Sequence, residues 1–213
     1  EEGGSSEKVN DMNMILLGAP GTGKGTQAEL LAEGLKIPTI STGAMLRAAI
    51  RKGTELGKKA KELIDRGQLV SDDVMVGMIS ERLKEEDCKN GFILDGFPRT
   101  IAQAEALDEL GIPIDAALSF EAPDEVIIKR LGGRRECPQC GATFHIVNKP
   151  SQKGELCDRC GAMLKTRDDD KIETIKNRLQ VYYAQSAPLK GYYQKKGVLH
   201  ELNADQPLED ITK

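Results

Sequence analysis

Short apolar runs alternate along this chain with longer stretches whose apolar residues recur every three or four positions. Each short run predicts a buried strand, because it is too short for a helix and is followed by a glycine or a polar residue. These runs are residues 12–17, 37–40, 91–95, 114–120 and 198–202. The amphipathic stretches predict helices at residues 24–35, 42–52, 55–66, 72–86, 101–110, 123–131 and 171–185, with the start of another at 207–213. The alternation indicates an α/β fold, a doubly wound, mainly parallel sheet of five strands flanked by helices.

Two segments depart from this simple alternation. Residues 41–70 hold two helices where one crossover helix would suffice, and residues 133–170 hold two cysteine pairs among turn-forming residues. Both are predicted to be inserts in a core domain. The core is made of residues 12–40, 71–132 and 171–213. The polar residues 1–11, which contain two glycines and two serines, are predicted to form a flexible tail.

A glycine-rich turn joins the first strand to the first helix. It reads Gly18-Ala-Pro-Gly-Thr-Gly-Lys-Gly-Thr26 and fits the phosphate-loop pattern G-x-x-x-x-G-K, although Gly25 stands where a hydroxyl residue usually follows the lysine. Backbone N–H groups of such a turn and the positive end of the helix dipole favour a bound polyphosphate. Lys24 is the candidate point charge on the terminal phosphates, and Thr26 the candidate hydroxyl near a metal. The turn therefore predicts a nucleotide site.

Charged residues follow the third strand and flank the cysteine segment. Asp95 ends an apolar strand, which suggests a group that holds magnesium or its waters; the alternative is a turn-forming Asp before glycine. Planar guanidinium groups suit phosphoryl oxygens. The arginines around the cysteine segment are Arg130, Arg134, Arg135, Arg167 and Arg178. We interpret them as candidate phosphate ligands.

Four of the five cysteines form two C-x-x-C pairs, each followed by glycine. The pairs are Cys137 with Cys140 and Cys157 with Cys160. This spacing is typical of a zinc ribbon, in which four thiolates close a tetrahedral structural site. Redox chemistry is the alternative, but neither pair opens a helix in a thioredoxin-like context. Cys88 lies outside the pattern and is interpreted as a free thiol.

Composition limits the classes of function. The net charge is −4 and aromatic residues are 4% of the chain, which argues against a general nucleic-acid surface. No apolar run approaches the roughly 20 residues that span a bilayer, so no membrane partner is expected. Cysteines that pair as metal ligands favour a reducing compartment. The expected location is the cytoplasm, with an organelle matrix or stroma left open.

Taken together, these motifs resemble the adenylate kinase family in its long-lid form with a zinc-binding lid. The resemblance runs from about Asn13 to Gln206 and rests on GAPGTGKGT, STGAMLR, LDGFPRTIAQAEAL, GGRR, the two C-x-x-C pairs and DDDKIETIKNRL. The glycine at position 25 is part of the family's own form of the loop. The resemblance implies a P-loop fold and a monomer. It also implies reversible, magnesium-dependent transfer of a phosphoryl group from ATP to AMP, which gives two ADP.

The resemblance further implies roles for individual residues. The implied ATP-binding residues are Gly21, Thr22, Gly23, Lys24, Gly25, Thr26, Arg130, Arg134, Thr143, Phe144 and Gln206. The implied AMP-binding residues are Thr42, Arg47, Gln68, Leu69, Val70, Gly96, Phe97, Pro98, Arg99, Gln103, Arg167 and Arg178. The implied catalytic residues are Lys24, Asp95, Arg99, Arg134, Arg167 and Arg178. Asp169 and Asp170 match acids at a lid hinge. Residues 41–70 match the AMP-binding insert, and residues 133–170 match the lid.

Two positions depart from the family's pattern. Ala44 stands where the family usually has Asp, which is expected to affect loop closure or AMP affinity, and Gly132 is expected to loosen the lid hinge. Two other functions stay open on the sequence. One is a kinase for UMP, CMP or GMP, and the other is a nucleic-acid-binding zinc-ribbon protein with an ATPase core.

Overall fold

The structure is a computed structural model that describes residues 11–206 and 210–211. Its strands are β1 (Met12–Leu17), β2 (Thr39–Ser41), β3 (Gly91–Asp95), β4 (Ala116–Glu121), β5 (Arg134–Glu136), β6 (Thr143–His145) and β7 (Leu199–Asn203). Its α-helices are α1 (Lys24–Leu35), α2 (Thr42–Arg51), α3 (Glu55–Asp65), α4 (Asp72–Arg82), α5 (Ile101–Glu109), α6 (Asp124–Gly133), α7 (Ile172–Val181) and α8 (Leu189–Lys195). Apart from residues 11, 210 and 211, the predicted tail and the predicted helix at 207–213 lie outside the described residues.

Five strands form one parallel sheet in the order β2-β3-β1-β4-β7, which confirms the predicted fold class. The central strand β1 pairs with β3 and β4, and Leu16 lies opposite both Asp95 and Leu118. Because the strands are parallel, their carboxyl ends share one edge of the sheet, where ligands bind in such folds. The glycine-rich turn after β1 and the acid that ends β3 are therefore neighbours.

Both faces of the sheet are buried. Ile15 and Leu17 of β1 join a core cluster on one face, whereas Met14 and Leu16 join a cluster on the other. This follows from the alternation of side chains along a strand. Full burial of each such side chain contributes about 1.5–3 kcal/mol. The central strand is thus held from both sides, and the turn that follows it starts from a fixed point.

Several predicted boundaries were placed differently by the structure, among them those of β2, α4 and α7. β2 begins at Thr39, because Pro38 has no N–H and the N–H of Ile37 bonds to the carbonyl of Ala32 at the end of α1, at 3.2 Å. α4 ends at Arg82, whose guanidinium group donates two hydrogen bonds of 2.7 Å to the carboxylate of Asp87. α7 ends at Val181 and continues as one π-helical turn over 182–186.

Helix α8 had no counterpart in the sequence prediction. Leu189 and Tyr193 are buried at a spacing of one helical turn, and Lys190, Gly191 and Tyr192 separate them. With only seven residues, the helix is too short for a clear period. Its packing against the core, in the same cluster as Ile15 and Leu17, decides its structure.

Helices α2 and α3 form a helical hairpin between β2 and α4. Ser41 caps α2 by accepting from the N–H of Ala44 at 3.3 Å, and Thr54 caps α3 by accepting from the N–H of Gly57 at 3.1 Å. A Cβ atom added at Gly57 would lie 2.2 Å from the carbonyl oxygen of Ala49. The close crossing of the two helices therefore requires glycine at this position.

The segment between α6 and α7 is rich in β-structure. β5 and β6 pair as antiparallel strands, and Glu136 of β5 also bridges to Lys165 farther along the chain. A small cluster of Cys137, Ala142, Phe144 and Cys157 fills its interior. The cluster is too small to supply much burial, so a further cross-link is needed for rigidity.

A search of residues 11–206 and 210–211 for membrane spans finds no helix with enough length and apolar character to cross a bilayer.

Candidate active site

The glycine-rich turn wraps around the ammonium group of Lys24. Lys24 Nζ donates to the carbonyl oxygens of Gly18 at 2.7 Å and Ala19 at 2.9 Å, and the hydroxyl of Thr22 also donates to Ala19 at 2.9 Å. Gly18 has a φ of 132°, and a Cβ atom there would lie 2.5 Å from the carbonyl oxygen of Phe120. Gly23, with a φ of 94°, is the residue that precedes α1. The predicted turn is thus a closed loop at a helix N-terminus, the geometry that suits a phosphate group.

Lys24 lies among other charged groups of the predicted site. Its pKa is lowered to about 8, mainly by burial; Asp95 opposes this change, and Arg99, Arg178 and Arg134 act in the same direction as burial. A Cβ atom built at Gly25 would lie 3.6 Å from Oδ2 of Asp95, which places this carboxylate beside the loop. The structure therefore brings the ends of β1 and β3 together with arginines from three other segments.

The turn after β3 is fixed by hydrogen bonds from Thr42 and Arg99. Thr42 at the start of α2 donates its hydroxyl to the carbonyl of Gly96 at 2.9 Å, and Arg99 Nε donates to the same oxygen at 2.9 Å. Gly96 has a φ of 85°, and a Cβ atom there would lie 2.7 Å from Thr42 Oγ1. Phe97 and Pro98 are buried below this turn. Burial, with Arg47 acting in the same sense, lowers the pKa of Arg99, and Asp95 opposes the effect.

Gln103 is held in a fixed orientation beside this turn. Its Oε1 accepts from the backbone N–H of Arg99 at 2.8 Å, and its Nε2 donates to Asp72 Oδ1 at 2.8 Å. A cleft of about 370 Å³ opens next to it. The cleft is lined by Leu63, Gln68, Leu69, Val70, Ser71, Asp72, Thr100, Val181 and Gln185. Three residues predicted to bind AMP, at 68–70, thus line one wall of a space of nucleobase size.

Two buried acids hold two of the predicted arginines. Asp170 accepts from Arg134 through both oxygens, at 2.7 Å from Nε and 2.6 Å from Nη2, and from Arg178 Nη1 at 3.0 Å. Arg178 also donates to the backbone carbonyl of Asp169 at 3.1 Å. Burial alone would lower the pKa of Arg134, but its pairing with Asp170 raises it. Burial alone would raise the pKa of Asp169, but the arginines hold it below the usual range. Both arginines are thus aligned before any ligand enters.

The remaining residues predicted at the ATP side lie in different settings. Arg130 Nη1 reaches the carbonyl of Thr22 at 3.4 Å, which ties α6 to the loop. Thr143 is half-buried on β6, whereas the side chain of Phe144 is buried against Cys137 and Cys157. Gln206 is exposed beyond the end of β7. Thr26 sits in the first turn of α1.

The four paired cysteines converge. Their Sγ atoms all lie within 4.8 Å of one another, with 3.4 Å between Cys137 and Cys160 and 3.6 Å between Cys140 and Cys157. These separations exceed the roughly 2 Å of a disulfide. They approach the value of about 3.8 Å that follows from tetrahedral geometry with metal–sulfur bonds near 2.3 Å. Cys88 lies apart, and burial raises its pKa to about 11. The cluster therefore fits a tetrahedral metal ion.

Sequence reasoning missed two acids of the site. Asp72 was not among the predicted site residues, yet it accepts from both Gln103 and Thr100. Glu136 received no role, yet it is buried next to Arg47, Arg51 and Arg167. In the sequence, the only sign of a role for Glu136 was that it is a single acid within an arginine-rich segment. Ala44, the unusual position of the helical insert, is exposed in the first turn of α2.

Comparison with known proteins adds independent findings. A sequence model described as Adenylate kinase matches residues 16–198. A protein named Adenylate kinase from Caldicellulosiruptor bescii is 55% identical over 206 residues, which cover 95% of this chain and 96% of that protein. Proteins of the same name from Archaeoglobus fulgidus and Lachnospira eligens are 52% and 54% identical, over 95% and 94% of this chain and 95% and 96% of their own lengths.

Proposed function

Since the chain belongs to the adenylate kinase family, and so transfers phosphoryl groups between ATP and AMP, we propose how its own residues carry out that transfer. The glycine-rich loop at 18–26 holds the phosphates of ATP, and the cleft beside Gln103 holds AMP. The observation that best supports this proposal is the set of groups around Lys24. The ammonium group lies among the loop carbonyls, Asp95 and the arginines of α7 and β5.

On the ATP side, we propose that backbone N–H groups of residues 21–26 bind the phosphates and that Lys24 contacts the transferred group. Arg130, which contacts the carbonyl of Thr22 in the loop, and Arg134, which is held by Asp170, are proposed to add positive charge. The backbone at Thr143 and Gln206 is left to contact the nucleoside, since the side chain of Phe144 packs inside its own segment. Asp95 is proposed to hold magnesium waters, and the Mg²⁺ ion that accompanies ATP would neutralise phosphate charge.

On the AMP side, we propose that the base enters the cleft at residues 68–70 and meets Gln103. Arg99 and Asp72 use one acceptor site and one donor site of the Gln103 amide, which leaves one acceptor site and one donor site for the base. The turn beneath the nucleotide is shaped by Thr42, Gly96, Phe97 and Pro98. Arg47, Arg99, Arg167 and Arg178 are proposed to bind the phosphates of the acceptor.

The proposed chemistry is direct in-line transfer between the two nucleotides. Phosphoryl transfer requires little covalent chemistry from the protein. Catalysis therefore depends on positioning the two nucleotides and on stabilising the negative charge that spreads in the transition state. Arg134 and Arg178 are already aligned by Asp170, so little reorganisation is needed when charge develops. Residues 41–70 and 133–170 are proposed to close over AMP and ATP, which excludes water and prevents hydrolysis.

The four-cysteine cluster fits a metal ion, and we propose a structural Zn²⁺ held by Cys137, Cys140, Cys157 and Cys160. Four thiolates leave no open position, so the ion would serve rigidity alone. Thiolates that bind metal also support a reducing compartment, for which we propose the cytoplasm. A monomer is proposed because the resemblance to the adenylate kinase family implies one.

Replacing Cys157 by serine is expected to remove the bound zinc and to unfold residues 133–170 while the central sheet stays folded. The reason is that this segment buries few apolar side chains of its own. Metal content by atomic emission and amide exchange by mass spectrometry check this result. The matched control is Cys88→Ser, which should keep about one zinc ion per chain. Simultaneous loss of protection in the segment and in β1 would contradict the expectation.

The function is tested by measuring ADP formation from ATP and Mg²⁺ with AMP, GMP, CMP or UMP as the acceptor. We expect kcat/KM with AMP to exceed that with each other acceptor by at least about 100-fold, because a fixed amide edge discriminates against bases with the wrong donors and acceptors. Preference for another acceptor would keep the chemistry and shift the specificity. Absence of transfer to all four would refute the proposed roles of the site.

A further inference from the structure

Glu136 carries a carboxylate that none of the roles above requires. The residue is 9% exposed and lies on β5, directly before the first cysteine of the metal cluster. Its backbone is fixed on both sides, by pairing with Thr143 of β6 and by two hydrogen bonds with Lys165, of 2.8 and 2.9 Å. The backbone that carries this side chain is therefore held by neighbouring segments on both sides.

The carboxylate joins two segments that are far apart in sequence. Oε2 contacts Nε of Arg167 directly and lies 3.5 Å from Nε of Arg47, while Oε1 lies 3.9 Å from Nη1 of Arg51. Arg47 and Arg51 are one turn apart on α2, whereas Arg167 belongs to the cysteine segment. A Cβ atom built at Gly141 would lie 3.5 Å from Nη2 of Arg51, so the same two segments also meet at the first cysteine pair.

Glu136 supplies a charge that the other acids do not. Asp170 is shared by Arg134 and Arg178, and Asp169 pairs with Arg178. Within residues 11–206, Glu136 is the carboxylate within salt-bridge distance of both Arg47 and Arg167. The pKa of Arg167 is lowered to about 10, mainly by burial and then by Arg134 and Arg47, while Glu136 opposes the change. Without Glu136, two neighbouring guanidinium groups would repel each other.

The contacts also leave the two guanidinium groups able to bind a ligand. Glu136 meets both arginines at Nε, and in the described part of the chain their Nη groups donate no hydrogen bond to protein. A guanidinium group can bind one anion along its Nε edge and a second through its Nη groups. Glu136 can therefore stay in place while phosphoryl oxygens bind the same arginines.

We propose that Glu136 is a positioning residue that couples the two sides of the active site. Its carboxylate contacts both Arg167 of the cysteine segment and Arg47 of α2. When the cysteine segment closes over ATP, both arginines are therefore placed to bind AMP. The proposal rests on the function proposed above. It predicts that an occupied ATP site strengthens AMP binding through Glu136, and by linkage the reverse.

The test compares Glu136→Gln with the unaltered enzyme by titrating AMP in the presence and absence of a non-hydrolysable ATP analogue. Loss of a charge-assisted contact between buried groups is expected to weaken AMP binding about tenfold with the analogue present. Without the analogue, the change should be less than about threefold. Arg51→Ala should act in the same direction by about twofold, because its contact is longer and more exposed. The double variant should show less than the product of the single effects.

Glu155→Gln, an exposed acid of the same segment, is the matched control and should leave both titrations unchanged. Thermal unfolding of each variant confirms that the protein measured is folded. Equal weakening with and without the analogue would mean a merely structural role and would overturn the proposal. Tighter AMP binding would mean that Glu136 competes with phosphate, and it too would overturn the proposal. If the unaltered enzyme fails to phosphorylate AMP, the proposed function fails instead.

Discussion

Replacing Lys24 by methionine is expected to lower kcat/KM for ATP about a thousandfold, with little change in thermal stability. Methionine keeps most of the volume and removes the charge that lies between the loop carbonyls and Asp95. The lost interaction is strongest in the transition state, so kcat should fall along with kcat/KM. A coupled assay of ADP formation, run at saturating AMP, measures both constants.

Two further variants at lysine positions make this expectation specific. Lys129→Met, at an exposed position of α6, should leave kcat/KM within about twofold. Lys24→Arg retains the charge but alters its geometry, so its informative property is its pH profile. Burial lowers the pKa of Lys24 to about 8, so the free enzyme loses this cation as the pH rises above 8. The value of kcat/KM should therefore decline above pH 8 in the unaltered enzyme and stay level in the arginine variant. A decline at the same pH in both enzymes would assign it to another group.

Replacing Asp170 by asparagine is expected to lower the free energy of unfolding by about 3 kcal/mol. The side chain of Asp170 is fully buried and binds Arg134 and Arg178 at once. The variant leaves two largely buried guanidinium groups without their common counter-charge, which is far more costly than loss of a surface ion pair. Urea denaturation, with the m-value checked for constancy, measures the change.

The neighbouring Asp168 offers a matched control for this variant. Its side chain is 63% exposed, and within the described residues it pairs with two exposed lysines, at 3.5 Å from Lys171 and 3.9 Å from Lys61. Asp168→Asn should change the free energy of unfolding by less than about 0.5 kcal/mol. Equal effects at the two positions would show that burial of the Asp170 pair does not govern stability. Transfer activity of Asp170→Asn should also fall, since Arg134 and Arg178 lose their alignment.

Most of the fold could be predicted because its signals are local. The five sheet strands, and the helices that begin at Lys24 and Ile101, follow from apolar runs, glycine turns and caps within a few residues of each element. Helix α8 was missed because seven residues carry too little periodicity. The predicted ends of α4 and α7 were wrong. α4 ends where the side chain of Arg82 bonds to Asp87, and α7 ends where a π-helical turn begins. Neither leaves a clear mark on the hydrophobic pattern.

The sequence by itself determined the chemistry that depends on covalent spacing. In the loop at 18–26, glycines and Lys24 are adjacent in the chain, so any fold that forms the strand and helix also forms the proposed phosphate site. Each C-x-x-C pair likewise holds two candidate ligands close together, and the structure only had to bring the pairs together.

Only the tertiary structure decided which charges meet across segments. Asp168, Asp169 and Asp170 are alike in sequence, yet Asp170 alone is fully buried against two arginines, because α6 and α7 pack around it. Glu136 gains its place beside Arg47 and Arg51 because the cysteine segment and the helical insert close on the same space. Ion pairs between distant segments depend on packing geometry and exclusion of water, and neither property is encoded in the spacing of residues.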